Sequence, residues 1–290
     1  MAFTSKDVMD LRQKTGVGMM DCKKALVATD GDMDKAIEYL REKGLASSAK
    51  KESRIAAEGI VLDATKGNKS VLVEVNCETD FVAKSDAFVA FTKDVANYVL
   101  DNPGVSVEDL IAAKEQAKAE VVLKVGEKIS IRRYTLFEAA GDNVIDTYIH
   151  LGGKMGVMVE MSAGTPKQVA HDVALQIAAM NAQYIDRTQV PKEVVDKEME
   201  ILRVQAQNED SSKPAAIIEK MLMGRINKFY KETCLVDQEF VKDSSMNIGQ
   251  YLKQNGDCKI IRFTRYNMGE GIEKRQDNLA EEIAKMTKKD

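Results

Sequence analysis

Two histidines, four cysteines and 46 acidic residues are the groups in this chain that could do covalent or metal chemistry. Their spacing argues against it. His150 and His171 have no cysteine or carboxylate cluster beside them at metal-ligand spacing, so both read as structural or surface residues. Cys22, Cys77, Cys234 and Cys258 form no C-x-x-C pair. They read as small buried hydrophobes of a reducing compartment, not as a disulfide or zinc framework. The chain has no phosphate loop of the form G-x-x-x-x-G-K-S/T and no G-x-S-x-G elbow. Gly16-x-Gly18 precedes a helical pattern but lacks the third glycine and the preceding strand of a dinucleotide site. These absences predict no catalytic site, no metal and no cofactor of the chain's own.

What remains is a segment suited to contact. V-L-V-E-V (Val71 to Val75) is echoed by V-M-V-E-M (Val157 to Met161). The offset is constant: 160 − 74 = 86 for the glutamates and 153 − 67 = 86 for the turn glycines. Asp94-Val95-Ala96 then reappears as Asp172-Val173-Ala174, so both copies run from strand to helix. Between strand and helix the first copy holds Cys77-Glu78-Thr79-Asp80-Phe81-Val82-Ala83-Lys84, and the second only Ser162-Ala163-Gly164-Thr165-Pro166. A fold that can be made without the T-D-F-V tip leaves the tip free for another purpose. The competing reading makes Phe81 a core residue at a strand-to-helix corner.

The surrounding elements predict an α+β protein of several modules. With 290 residues, 44% hydrophobic and 30% charged, the chain can form more than one core. A net charge of −4 argues against a general binder of nucleic acid or anionic membrane. No apolar run reaches spanning length and no signal-peptide pattern opens the chain, which predicts a cytoplasmic protein. Residues 1–54 read as an N-terminal bundle of three helices. Its first helix starts at a capping box, Thr4 to Asp7, and its third stops at Gly44 before a charged connector from Ser47 to Glu58. Residues 55–143 form one strand-hairpin and helix subdomain; 144–186 and 230–266 form its repeat, with a hairpin turning at Gly152-Gly153. Residues 187–229 interrupt that repeat as an antiparallel helical hairpin with a polar tip near Asn208 to Pro214. Such a hairpin could be a strut or a self-association arm. Residues 267–290 close the chain with Gly269-Glu270-Gly271 and a helix bearing Leu279, Ile283 and Met286.

Four segments, in order along the chain, carry a resemblance. They are T-G-V-G-M-M-D-C-K-K-A-L (Thr15 to Leu26), E-V-N-C-E-T-D-F-V-A-K (Glu74 to Lys84), S-K-P-A-A-I-I-E-K-M-L-M-G-R-I-N-K-F (Ser212 to Phe229) and G-E-G-I-E-K (Gly269 to Lys274). Each resembles the corresponding segment of bacterial translation elongation factor Ts, and together they span almost the whole chain. The resemblance implies a nucleotide-exchange factor for the GTPase elongation factor Tu, binding its GDP form, loosening magnesium and nucleotide, and leaving when GTP binds. It implies that Phe81 inserts between two helices of the GTPase nucleotide domain. Asp80 would act locally by hydrogen bonding or repulsion, and Val82 and Ala83 would complete the contact. It implies further contacts at Met19, Met20 and Lys23 of the bundle, at Val125, Gly126 and His150 of the core, and at Val241 with another domain of the partner. Dimerisation through the helical hairpin is open. The bundle is also similar to ubiquitin-associated domains, which keeps a peptide- or helix-binding adaptor as a second reading; that reading gives the T-D-F-V tip no task.

Overall fold

The computed structural model describes residues 3–209 and 215–273. Most of the expected polar hairpin tip and the expected helix bearing Leu279, Ile283 and Met286 lie outside these residues. The described chain is mixed α+β, with helices at its N-terminal end and small sheets, and it divides into two units. One comprises 3–62, 73–134 and 267–273; the other comprises 63–72 and 135–266 without 210–214.

The first unit opens with α1 (Ser5–Thr15), α2 (Met19–Ala28) and α3 (Met33–Lys51). Thr4 and Asp7 form the expected capping box: each side chain accepts from the other's backbone amide. Gly16 ends α1 at φ 69°, a conformation that a Cβ disfavours. Val8, Leu11, Val17, Cys22, Ala25, Leu26, Ala36 and Leu40 fill the space between the three helices. The expected stop at Gly44 is not one. Helix α3 runs through it to Lys51, so only residues 52–57 separate it from the first strand. The reason is packing: a Cβ on Gly44 would lie 2.9 Å from the Ala119 carbonyl oxygen of α6 (Val107–Val125). Gly44 is the close-approach point of two helices, not a terminator.

Strands β1 (Glu58–Lys66), β2 (Lys69–Cys77) and β3 (Ile129–Glu138) form a sheet in the order β1-β2-β3. Every residue of the central strand from Ser70 to Cys77 is buried. One helical turn, α4 (Asp80–Ala83), follows β2, and then α5 (Asp86–Asp101), whose Phe88, Phe91, Val95 and Val99 face inward as their spacing predicts. Ser106, a residue type suited to the position, caps α6, its hydroxyl accepting from the Asp109 amide at 3.0 Å.

The second unit is built on β4 (Val144–His150), β5 (Met155–Met161) and β8 (Ile260–Asn267), ordered β4-β5-β8. Strands β4 and β5 pair antiparallel from Val144↔Met161 to His150↔Met155, around the expected turn. Helix α7 (Lys167–Met180) buries Val169, Ala170, Val173, Ala174 and Ile177 against this hairpin. Helices α8 (Lys192–Glu209) and α9 (Ala215–Thr233) pack on each other through Leu202, Leu222 and Ile226. Between α9 and β8 lie a short sheet of β6 (Glu239–Phe240) and β7 (Asp243–Asn247) and the helix α10 (Ile248–Gln254), none of which the sequence periodicity predicts.

Candidate functional site

The T-D-F-V tip is the single turn α4 between β2 and α5. Thr79 is its N-cap, and its hydroxyl accepts from the Val82 amide. Ser85 then caps α5 and donates to the Val82 carbonyl at 2.7 Å. Between these two caps Ala83 is buried, Val82 is half-buried and Phe81 points out. At 82% exposure Phe81 is the most exposed large apolar side chain among the described residues. The reading of Phe81 as a corner core residue is therefore wrong. Leaving a phenylalanine in water forgoes about 1.5–3 kcal/mol of burial, and local capping, not packing, keeps it there. Asp80 pairs with Lys84 at 2.7 Å on the same surface. An exposed pair of this kind contributes about 0–1 kcal/mol and yields readily to a partner.

The base of the tip is clamped by a residue that sequence reasoning missed. The Glu127 carboxylate accepts from the amides of Glu78 (3.1 Å) and Thr79 (3.0 Å) and from the Thr79 hydroxyl (2.6 Å). The Glu78 carboxylate in return accepts from the Lys128 amide at 2.6 Å and from Arg54 at 3.1 Å. Hydrogen bonds to ionised groups are worth about 1.5–3 kcal/mol each. Val125 and Gly126 directly precede Glu127, so the structure brings these two expected contact residues to the same clamp as Asp80–Ala83. Glu127 follows the α6 C-cap Gly126, and no local pattern announces a partner 48 residues away in sequence.

The other expected contacts lie elsewhere. In the bundle, Met19 and Lys23 line a groove with Phe3, Val8 and Met9. Met20 is 63% exposed, which excludes Met20 from the bundle core. His150 and Val241 belong to the second unit. His150 Nδ1 and the Tyr148 hydroxyl are 2.8 Å apart, and Leu151 beside it, at φ 48°, is exposed. His171 meets the Asp146 carboxylate at 3.0 Å; burial first, and the Asp63 charge with it, raise that carboxyl despite the histidine. Val241 is exposed next to β6. The four cysteines are buried free thiols, and burial pushes the Cys22 and Cys234 thiols up. They are inert core residues, as expected.

Two buried glutamates brace the sheets behind these surfaces. Glu74 in β2 accepts from Arg132 (2.9 Å), Arg133 (2.6 Å) and the Gly269 amide (2.7 Å). Burial works to raise its carboxyl, but these three donors prevail and hold it below the usual range. Gly269 must be glycine, because a Cβ there would sit 2.5 Å from the Ala57 carbonyl oxygen. Glu160 in β5 accepts from Arg262 (2.6 Å), Asn143 (2.9 Å) and the Ala140 amide (3.3 Å). Burial again opposes, yet its carboxyl is also held low.

A capped turn that holds an aromatic side chain in water is a surface suited to contact with another macromolecule. The family model for elongation factor Ts matches residues 78–270, a span that includes the tip, both clamp glutamates and residues 135–266 of the second unit. The chain belongs to the elongation factor Ts family, the nucleotide-exchange factors of elongation factor Tu, and is not an enzyme.

Proposed function

We propose that this chain promotes GDP release from elongation factor Tu by using Phe81 as a wedge between helices of the nucleotide domain, displacing the ligands of the partner's magnesium ion. The observation that carries the reading is the exposure of Phe81 on a turn held between two caps. Magnesium bridges and neutralises the phosphate oxygens, so its loss weakens GDP binding. The chain would bind the GDP form and stay until GTP binds. That coupling is reciprocal: the nucleotide weakens the factor as much as the factor weakens the nucleotide.

A coupling of ~10⁴-fold needs about 5.5 kcal/mol of differential binding, whereas burying one phenylalanine supplies about 1.5–3 kcal/mol. Further contacts are therefore required. Asp80, Val82 and Ala83 would act with the wedge. Met19, Met20 and Lys23 on a UBA-like bundle, and Val125, Gly126, His150 and Val241 on the two repeated subdomains, would supply the remainder. The exposed Met20 and Val241 support this reading. The hairpin of α8 and α9, read as an antiparallel coiled coil, is the element through which two copies could pair. No helix among the described residues is long and apolar enough to cross a membrane. A cytoplasmic location, with the translation machinery, follows from the partner.

Release of a fluorescent GDP from elongation factor Tu tests the wedge. Phe81→Ala should keep its melting temperature and lower stimulated release ~30-fold, the equivalent of about 2 kcal/mol for a truncated interface aromatic. Release at the wild-type rate would remove the wedge assignment.

A further inference from the structure

The wedge reading leaves a mechanical question that the clamp answers. Phe81 makes little packing contact, being 82% exposed, and the turn that carries it is four residues long. One turn does not hold itself, since its nucleation fixes several residues for one hydrogen bond. A wedge on a yielding base would swing aside on meeting the partner, and binding would be spent on ordering it. Only Ala83 anchors the turn by burial. The rest must come from polar contacts: the Ser85 cap at its C-terminal side and the contacts at its N-terminal side.

We propose that Glu127 is the positioning residue of the exchange tip, acting on the partner only through Phe81. The inference rests on the wedge reading. The amides of Glu78 and Thr79 both donate to one Glu127 oxygen, which fixes the chain where it leaves β2. The Thr79 hydroxyl donates to the other oxygen, and this spends its only proton. That hydroxyl can then offer only a lone pair to the Val82 amide, which is the cap that sets the turn. Glu127 thus orients the cap as well as the backbone. The Lys128 amide returns a bond to Glu78, so the two segments hold each other from both sides. Because Val125 and Gly126 run straight into Glu127, pressure on that loop and pressure on the tip reach the same carboxylate.

The test compares full-length Phe81→Ala, Glu127→Ala, Glu127→Gln and the double variant Phe81→Ala/Glu127→Ala. Release of fluorescent GDP from elongation factor Tu is followed against factor concentration. Glu127→Ala should lower the maximal rate ~10-fold while the half-saturating concentration changes by less than about twofold, the pattern of a lost transition-state interaction. Glu127→Gln keeps a carbonyl for the two amides and should recover most of the rate. The double variant should be no slower than Phe81→Ala alone, because a residue acting through Phe81 has nothing left to position. If Glu127→Ala does not fold, Thr79→Val replaces it, removing the hydroxyl at constant shape with the same expectations. A wild-type maximal rate in Glu127→Ala or Thr79→Val, an effect confined to half-saturation, or a double variant slowed by the product of the singles overturns the proposal. If Phe81→Ala is itself as fast as wild type, the wedge reading falls and takes this inference with it.

Discussion

The hairpin of β1 and β2 and the hairpin of β4 and β5 carry the same buried device and different endings. In each, the central strand holds a glutamate that is out of water, Glu74 or Glu160, and each glutamate is met by arginine and by a backbone amide. Each strand leads to a helix with its apolar face turned in, α5 or α7. After β2 the chain makes the capped turn with Phe81 in water. After β5 it makes a short link in which Thr165 is buried and Pro166 starts the helix directly. What the two share supports the sheet. What only the first has cannot be required by the sheet, and it is the part that faces outward.

The comparison can be broken most severely by removing the difference. Replacing residues 78–84 with Ser-Ala-Gly-Thr-Pro, the link of the second hairpin, should leave a folded protein whose stimulated GDP release falls to the unstimulated rate of elongation factor Tu. A chimaera that unfolds would show that the first hairpin needs its tip, and the comparison would fail. Next in size are the glutamates. Glu74→Ala takes the carboxylate from Arg132 and Arg133, which keep acceptors on Asn267 and Glu270, and frees the Gly269 amide; it should cost about 3–5 kcal/mol in denaturant unfolding, as for a broken buried pair. Glu160→Ala should cost less, about 1–3 kcal/mol, because its Arg262 partner is 45% exposed and can return to water. Equal losses would mean that burial of the arginine does not decide the cost.

Acid sharpens the same contrast. Both carboxyls are held below their usual range in the fold. Their contribution is complete above the unfolded value of about 4.3 and is lost as pH falls through the folded values. Stability measured from pH 6 down to about 3 should therefore fall in the wild type. Glu74→Gln should flatten that fall more than Glu160→Gln. The smallest effect is expected from the one insertion that only the second repeat contains. Replacing residues 192–229 with a short Gly/Ser link should leave most of the exchange rate, since α8 and α9 pack on each other. Complete loss of exchange would make the hairpin part of the working surface.

Much of this architecture was legible because it is local. Gly67 and Gly153 turn hairpins, Thr4 and Ser106 cap helices, and Phe88, Val95 and Val99 recur at helical spacing. The internal repeat also pointed to the tip, by showing what one copy has and the other lacks. The misses are where distant residues decide. Gly44 has the look of a helix stop, but the Ala119 carbonyl against it makes it a packing position. Helix α10 is seven residues long and depends on the reciprocal cap of Asn247 and Gln250. Strand β6 has two residues and exists only by pairing with β7. Glu127 has the appearance of an ordinary solvated charge until the fold brings residues 78 and 79 to it.

The bond from Gly269 to Glu74 joins residues 195 positions apart. A ribosome adds about 5–20 residues per second, so during synthesis Glu74 waits roughly 10–40 s for the amide that completes its pairing. Residues 135–266, the larger part of the second unit, are made within that interval. The first unit is thus begun before residues 135–266 and closed after them, and its buried carboxylate is sealed by a stretch made later than those residues. A nascent chain stalled before residue 267 should carry that seal open, with β2 accessible to protease or chaperone while the hairpin of β4 and β5 is already protected.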